Sequence, residues 1–558
     1  ALRPHETSEP QPLAWWSFRD GNINDRMGAF PCTLLMGKAQ VVDGALRLDG
    51  NRSYLVAAPQ DLSAQWLTAP ASGGELLQAV RKHRENLLAD PQRPAYHFVA
   101  PEGYCMPFDP NGAIFWKGKY HLCYIIQDER GHCWGHASST DLVHWRFHTP
   151  ALFPAPGDPD QGIFSGNAFV NLQGEAVMLY HGVGVGNCIA TCAEDDLDHW
   201  TKLPSNPIVP SPKEGDPEFG KYSSWDPHGW VEDDRYYAIF GGNPPTLFKS
   251  IDMVKWDFLH KFLAQDLPGI DADEDISCPD FFPIGDKHML LCISHKRGCR
   301  YYLGRWENEV FYPETHARMN WPGGTCFAPE SLIDGQGRRI MWAWVLDRRP
   351  ADEAQRIGWS GTMCLPRHLW LGEDGALRMA PVAELESLRM NHRQMANLTV
   401  EADTEPLLRE IGGDCIELAL EIAPQDAKSV GIKVRRSPDG EEETVIAYDA
   451  EAKQLRVDVV KSSLDKRIKY YTCCMYGGEN PEVTDQAAPF ELRGGEPLQL
   501  RVFIDHSIIE VFANERQCVT QHIYPTREDS LGITLFAKGG EAKVTSIDAW
   551  DMAPANPW

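Results

Sequence analysis

Ser139-Thr140-Asp141-Leu142-Val143-His144-Trp145 returns as Glu194-Asp195-Asp196-Leu197-Asp198-His199-Trp200, and again as Ser250-Ile251-Asp252-Met253-Val254-Lys255-Trp256, so the three tryptophans stand 55 and 56 residues apart. A second pattern runs between these copies and recurs five times: a short strand, a polar turn and an aromatic-rich strand. Its copies are 113–126, 168–181, 229–241, 281–294 and 331–345, and their turns are Lys117-Gly118-Lys119, Gln173-Gly174-Glu175, Glu232-Asp233-Asp234, Gly285-Asp286 and Asp334-Gly335-Gln336-Gly337. Each copy has the alternation and turn chemistry of a β-hairpin. Several strands per unit at a fixed period near ~50 residues is the mark of a β-propeller, so five copies predict five blades.

The rest of the chain is read outward from that repeat. At 558 residues it exceeds what one hydrophobic core usually holds, so more than one domain is expected. The expected fold class is all-β: a five-bladed propeller at 93–380, a linker helix at 381–395 and a C-terminal β-sandwich at 396–558. A small N-terminal extension, 1–92, is expected to mix strands at Trp15–Phe18 and Ala45–Leu48 with a helix over Glu75–Asp90. The helix rests on the apolar spacing of Leu76, Leu77, Val80, Leu87 and Leu88. The sandwich rests on alternating runs at 416–422, 429–434, 455–460, 498–504, 507–513 and 532–537.

A formal net charge of -26 argues against a nucleic-acid partner and against adhesion to anionic membranes, and suits a neutral small molecule. No apolar run is long enough to suggest a membrane span. The 15 cysteines are odd in number and lack CxxC spacing. They read as buried free thiols, which leans towards the cytoplasm while a secreted or periplasmic site stays open. No metal-ligand spacing, phosphate loop or dinucleotide fingerprint is present, so no cofactor is expected.

In a propeller the loops that precede the inner strands converge on one end of the central tunnel. Acids placed there meet in space though far apart in sequence. Asp109 precedes the first copy, Asp226 the third, Glu274, Asp275 and Asp280 flank the start of the fourth, and Glu330 opens the fifth. Two carboxylates, one charged and one protonated, are the minimum for glycoside hydrolysis. Taken singly, Asp109 and Asp226 would more often be turn formers, because Asp-Pro and Asn-Gly favour turns. Their matching places in separate blades point to catalysis.

At this point the chain resembles glycoside hydrolase family 32, the family of invertases, inulinases, levanases and fructosyltransferases. The resemblance is carried by Asp109-Pro110-Asn111-Gly112, Trp134-Gly135-His136-Ala137, Phe164-Ser165-Gly166, Cys278-Pro279-Asp280-Phe281-Phe282, Ala328-Pro329-Glu330, Gly358-Trp359-Ser360-Gly361 and, near the C-terminus, Asp505-His506-Ser507 with Glu510-Val511-Phe512. It implies hydrolysis of β-fructofuranosides or fructans with retention, through a covalent glycosyl-enzyme on Asp109 that Asp226 helps to stabilise. It also implies a glutamate acid/base before the fourth blade.

Three departures stand out. Phe108 replaces an Asn, Trp225 replaces an Arg, and Ser277 replaces the glutamate itself. Glu274 and Asp275 are the candidate substitutes, Glu274 ranked first, with Glu330 behind them. Expected sugar contacts are Asn111, Gln127, Trp134, Phe164, Ser165, Trp225, His228, Asp280 and Glu330. A fructosyltransferase, or a sugar-binding protein disabled at Ser277, are the alternatives.

Overall fold

The computed structural model describes residues 71–556 apart from 102 and 473–479, together with four short strands between residues 32 and 58. The strand expected at Trp15–Phe18 lies outside the described residues. In the N-terminal unit Cys32–Met36 pairs with Tyr54–Ala58 and Gln40–Val42 pairs with Ala45–Arg47, followed by the helix Ala71–Ala89, close to the expected span.

All five hairpins form, each as the two inner strands of a blade. Blade I comprises Pro110–Trp116, Lys119–Asp128, Gly131–Ser139 and Arg146–Phe147. Blades II to V have inner strands at Ile163–Val170, Pro227–Glu232, Ser277–Ile284 and Cys326–Ile333. Blades I, III and IV have four strands, while II and V each carry one short extra strand. Every inner strand touches those of the blades on either side, and blade V returns to blade I, so the ring closes.

The repeated heptapeptide is the turn between third and fourth strands. In blade I, Asp141 accepts the backbone N–H groups of Val143 and His144, and in blade III Asp252 does the same for Val254 and Lys255. Leu142, Leu197 and Met253 all have positive φ (65°, 54° and 62°). The short carboxylate satisfies the amides that such a tight turn leaves open.

The expected helix at 381–395 is not there. A short 3₁₀ helix covers Ala383–Leu388, with Leu385 and Leu388 buried, and Arg389–Val400 is a strand paired with Ala542–Met552. The apolar spacing of three suits a 3₁₀ turn as well as a helix. Beyond it, an open sheet edge offers hydrogen bonds that override helical propensity. That strand opens a sandwich of two six-stranded antiparallel sheets whose facing side chains make one continuous core.

Propeller and sandwich are joined by buried charges. Asp505 accepts the backbone N–H groups of Ala95, Tyr96 and His97 and the His97 Nδ1, at 2.6–2.8 Å. Glu510 accepts the Leu365 N–H at 2.8 Å and Arg367 Nη2 at 2.9 Å. Of the twelve cysteines whose side chains are described, ten are buried.

Candidate active site

The starts of the inner strands are irregular in the same way. The ladder slips between Asn111 and Ile114 in blade I, between Ser277 and Asp280 in blade IV, and between Phe327 and Pro329 in blade V. Gly112, Cys278 and Ala328 hold positive φ at these bulges (55°, 44° and 42°), and Asp226 holds φ 28° just before blade III. A bulge re-aims the side chains beside it, and backbone strain of this kind collects at functional sites.

Asp109 and Asp226 meet at that end of the tunnel. The Cys278 thiol lies 3.7 Å from Oδ2 of each, and the Cys278 backbone N–H donates to Asp226 Oδ2 at 3.1 Å. Both aspartates are buried, 8% and 3% exposed, in a protein otherwise rich in surface acids. The Ser165 hydroxyl donates to Asp109 Oδ2 at 2.7 Å, while Asp109 Oδ1 has no partner. Burial, partly offset by Ser165, His295 and Cys278, raises the Asp109 carboxyl above its ordinary range. Burial and then the like charge of Asp109 push Asp226 up to about 7. The same surroundings drive the Cys278 thiol up, so it stays protonated between them.

Asn111 does not face the tunnel mouth as a free side chain. Its Nδ2 donates to the Asp109 carbonyl at 2.8 Å and its Oδ1 accepts the Gly166 N–H at 2.9 Å, stitching blade I to blade II beneath the nucleophile candidate. Trp225 and Phe164 form a wall. Trp225 packs on His181 at 4.7 Å and edge-on to Phe164 at 6.1 Å, and its Nε1 donates to Ser277 Oγ at 3.1 Å. Trp225, His181, Tyr222, Asp275 and Ser277 line a cavity of about 610 Å³.

Several expected sugar contacts lie elsewhere. Trp134 is fully buried, donates to the Phe164 carbonyl and packs edge-on to Tyr180, so it is an inter-blade wedge rather than a stacking platform. Gln127 sits exposed at a strand end, and Ile125, two residues earlier, is the one whose N–H reaches the Asp109 carbonyl. His228, Asp280 and Glu330 belong to the tunnel interior. His228 Nε2 sits 3.1–3.2 Å from the backbone of Phe281, and burial lowers that ring to about 3, so it is neutral. Ser331 donates to Asp280, and Glu330 accepts the Ala113 N–H. His228 and Asp280 line a second cavity of about 480 Å³ walled by the inner strands.

Glu274, the favoured substitute for the missing glutamate, is not a proton donor. Arg318 grips its two carboxylate oxygens at 2.8 and 2.6 Å and Arg300 adds a third contact at 3.2 Å. Burial pulls its carboxyl up, but the two guanidinium groups outweigh that and leave it at about 2. The sequence does not reveal that two arginines from blade IV claim it. Asp275 does stand at the mouth, bonded to Ser277 Oγ at 2.8 Å and to His295 Nδ1 at 2.6 Å. Burial is again outweighed, here by His295, and Asp275 rests at about 2. Phe108 likewise turns inward, packing with Phe98, Tyr124 and Gly361.

His295, His181 and Cys278 were missed in the sequence. A signal existed for the two histidines. In an antiparallel hairpin the second strand returns to the end from which the first set out. The residues closing Ala176–Gly182 and following Lys287–Ser294 therefore stand at the same mouth as the acids. Among the described residues, two groups have the ligand types a metal would need: His136, His148 and Asp198, and Cys415, Asp505 and His506. Asp198 bonds His148 at 2.6 Å and Asp505 bonds His97, so both acids already serve the fold.

Residues 97–381 match the glycosyl hydrolases family 32 N-terminal domain, and residues 384–551 match the family 32 C-terminal domain. A fructan 6-exohydrolase of Beta vulgaris is 28% identical over 549 residues, covering 84% of this chain and 88% of its own. A sucrose-6-phosphate hydrolase of Escherichia coli is 28% identical, covering 82% of this chain and 94% of its own. The fold matches the crystal structure of fructan 1-exohydrolase IIa from Cichorium intybus with a TM-score of 0.73, at 24% identity and over 84% of this chain and 98% of that one.

Proposed function

The chain belongs to glycoside hydrolase family 32, the β-fructofuranosidase and fructan-hydrolase family, and from that membership we propose that it hydrolyses β-fructofuranosides or fructans from the chain end, with retention. Asp109 is the nucleophile, forming an ester with the anomeric carbon, and Asp226 stabilises the oxocarbenium-like transition state. The observation that carries this reading is the convergence of two buried aspartates from separate blades on one thiol, each 3.7 Å from it. One monosaccharide ring can touch both. Burial, and after it the like charge of Asp109, raises the Asp226 carboxyl, and a bound sugar with developing positive charge offsets that penalty on the carboxylate most as the transition state is approached.

The Ser277 replacement favours a second reading, a sugar-binding protein without turnover. The two are separated by incubating the protein with sucrose, inulin and levan and following fructose release. We expect release from at least one of them, and Asp109→Asn to lower it by about 10³-fold or more with the fold unchanged. Binding of these sugars with no release would establish the second reading. A fructosyltransferase would instead lengthen its acceptors, which the same product analysis detects.

A further inference from the structure

Departure of the leaving group from a fructosyl unit needs a proton, and neither Glu274 nor Ser277 supplies it here. Glu274 is locked to Arg300 and Arg318. Ser277, at the position where the family resemblance puts the acid, is a hydroxyl that donates to Asp275. Asp275 in turn holds a histidine by two hydrogen bonds. Its Oδ2 bonds His295 Nδ1 at 2.6 Å, and its Oδ1 accepts the His295 backbone N–H at 3.0 Å.

We propose that His295, oriented by Asp275, is the acid and base of this site, taking the part that the missing glutamate leaves open. The inference rests on the hydrolase reading given above. Four observations lead to it. The carboxylate fixes the ring through Nδ1, so the proton to be transferred is the one on Nε2, an arrangement that sets the tautomer. Asp275 also lines the 610 Å³ cavity with Ser277 and Trp225, and the His295 side chain bonded to it is 22% exposed. Ser277 is adjacent in sequence to Cys278, whose thiol touches both catalytic aspartates. Finally, His295 and the two aspartates feel one another electrostatically. Its positive charge favours ionisation of Asp109 and Asp226. Burial opposes protonation of the ring, but Asp275, Asp226 and Asp109 together outweigh it and raise its pKa above the ordinary 6.5.

The surrounding charges do not cancel this. Lys296 is paired with Asp273 and Arg297 with Asp271 in the outer acidic loop, and Arg300 binds Glu274 and the Asp275 carbonyl. The Phe327 ring stands edge-on at 6.1 Å.

The step balances. Asp109 Oδ attacks the anomeric carbon while the bond to the leaving oxygen breaks, its electron pair staying on that oxygen. The oxygen takes the Nε2 proton, leaving neutral imidazole. Water then loses a proton to Nε2 as its oxygen attacks the same carbon, and the ester electrons return to Asp109. The ring ends protonated, as it began.

The test uses the full chain with two donors: sucrose, whose leaving alkoxide needs a proton, and β-fructosyl fluoride, whose leaving group does not. His295→Gln is expected to lower kcat on sucrose by about 10²–10⁴-fold, to leave the first-turnover release of fluoride within about tenfold while the ester on Asp109 accumulates, and to abolish the basic limb of the pH–rate profile. Asp275→Asn keeps the ring but removes its charge support, so it should shift that limb to lower pH. Equal losses of sucrose turnover and first-turnover fluoride release, or a basic limb unchanged in both variants, would overturn the inference while the hydrolase reading stands. Failure of the unsubstituted protein to turn over either donor would sink that reading and the inference together.

Discussion

Asp226 shows at the level of one side chain how function costs stability. Burial and Asp109 raise it from 3.8 to about 7, so its charged form is disfavoured in the folded state. The sign follows from linkage. Below about 3.8 both folded and unfolded chains hold the proton and nothing is lost. As pH rises from there the unfolded chain ionises first, stability declines, and the full loss is present above about 7. Asp226→Asn, which keeps the shape and removes the charge, should therefore raise Tm at pH 8 and have little effect near pH 4, while suppressing sucrose hydrolysis. Thermal scans at the two pH values check this, and an equal Tm shift at both would show that the carboxyl is not desolvated as described. The same residue makes activity climb through roughly neutral pH rather than near pH 4.

At the scale of a strand, the inner strand of blade II holds the nucleophile candidate in place from next door. Ser165 bonds Asp109 and Gly166 donates to Asn111, whose side chain grips the Asp109 carbonyl. Gly166 is opposite Tyr180, and a methyl group added to it would come within 2.0 Å of the Leu179 carbonyl oxygen. No flexible side chain can yield there, because the obstacle is the neighbouring backbone. Gly166→Ala is expected to push the strand away from its partner, cost roughly 1–3 kcal/mol and lower kcat/KM by loosening Asp109. Denaturant unfolding and kinetics on the same preparation measure both; a variant of parental stability and rate would show that the strand does not position Asp109.

The whole molecule is held across its two β domains by His97, Asp505, Glu510 and Arg367. His97 is raised to about 9 because Asp505 and Glu510 outweigh its burial, and Asp505 is lowered in turn because His97 outweighs its own burial. The histidine contributes stability that is complete below about 6.5 and is lost as pH rises through about 9. The aspartate contributes stability that is present above about 3.8 and is lost as pH falls through its depressed value. Both operate between about 4 and 6.5. His97→Gln should therefore be most destabilised relative to the parent in that window, with the gap narrowing towards pH 9.5. Melting curves across the range check it, and a gap that stays constant would mean the ring is neutral. Removing one member of such a buried set leaves an uncompensated charge, which is why the effect should be large.

The sequence by itself determined the architecture. Five hairpins and a recurring Asp-Leu turn are local patterns, each written within ~15 residues, and local hydrogen-bond chemistry was enough to read them. It also implied that Asp109 and Asp226 meet, because a propeller sends the start of every inner strand to one end, so position in the repeat implies position in space. It fell short wherever two patterns compete for one segment, as at Arg389–Val400, where the edge of the sandwich sheet decided for a strand. Within the site, only the tertiary structure could assign partners. Glu274 and Asp275 are adjacent acids, yet one is claimed by Arg300 and Arg318 and the other by His295. A carboxyl's protonation and role are set by the charges that reach it through space, and those come from strands the sequence cannot rank by distance.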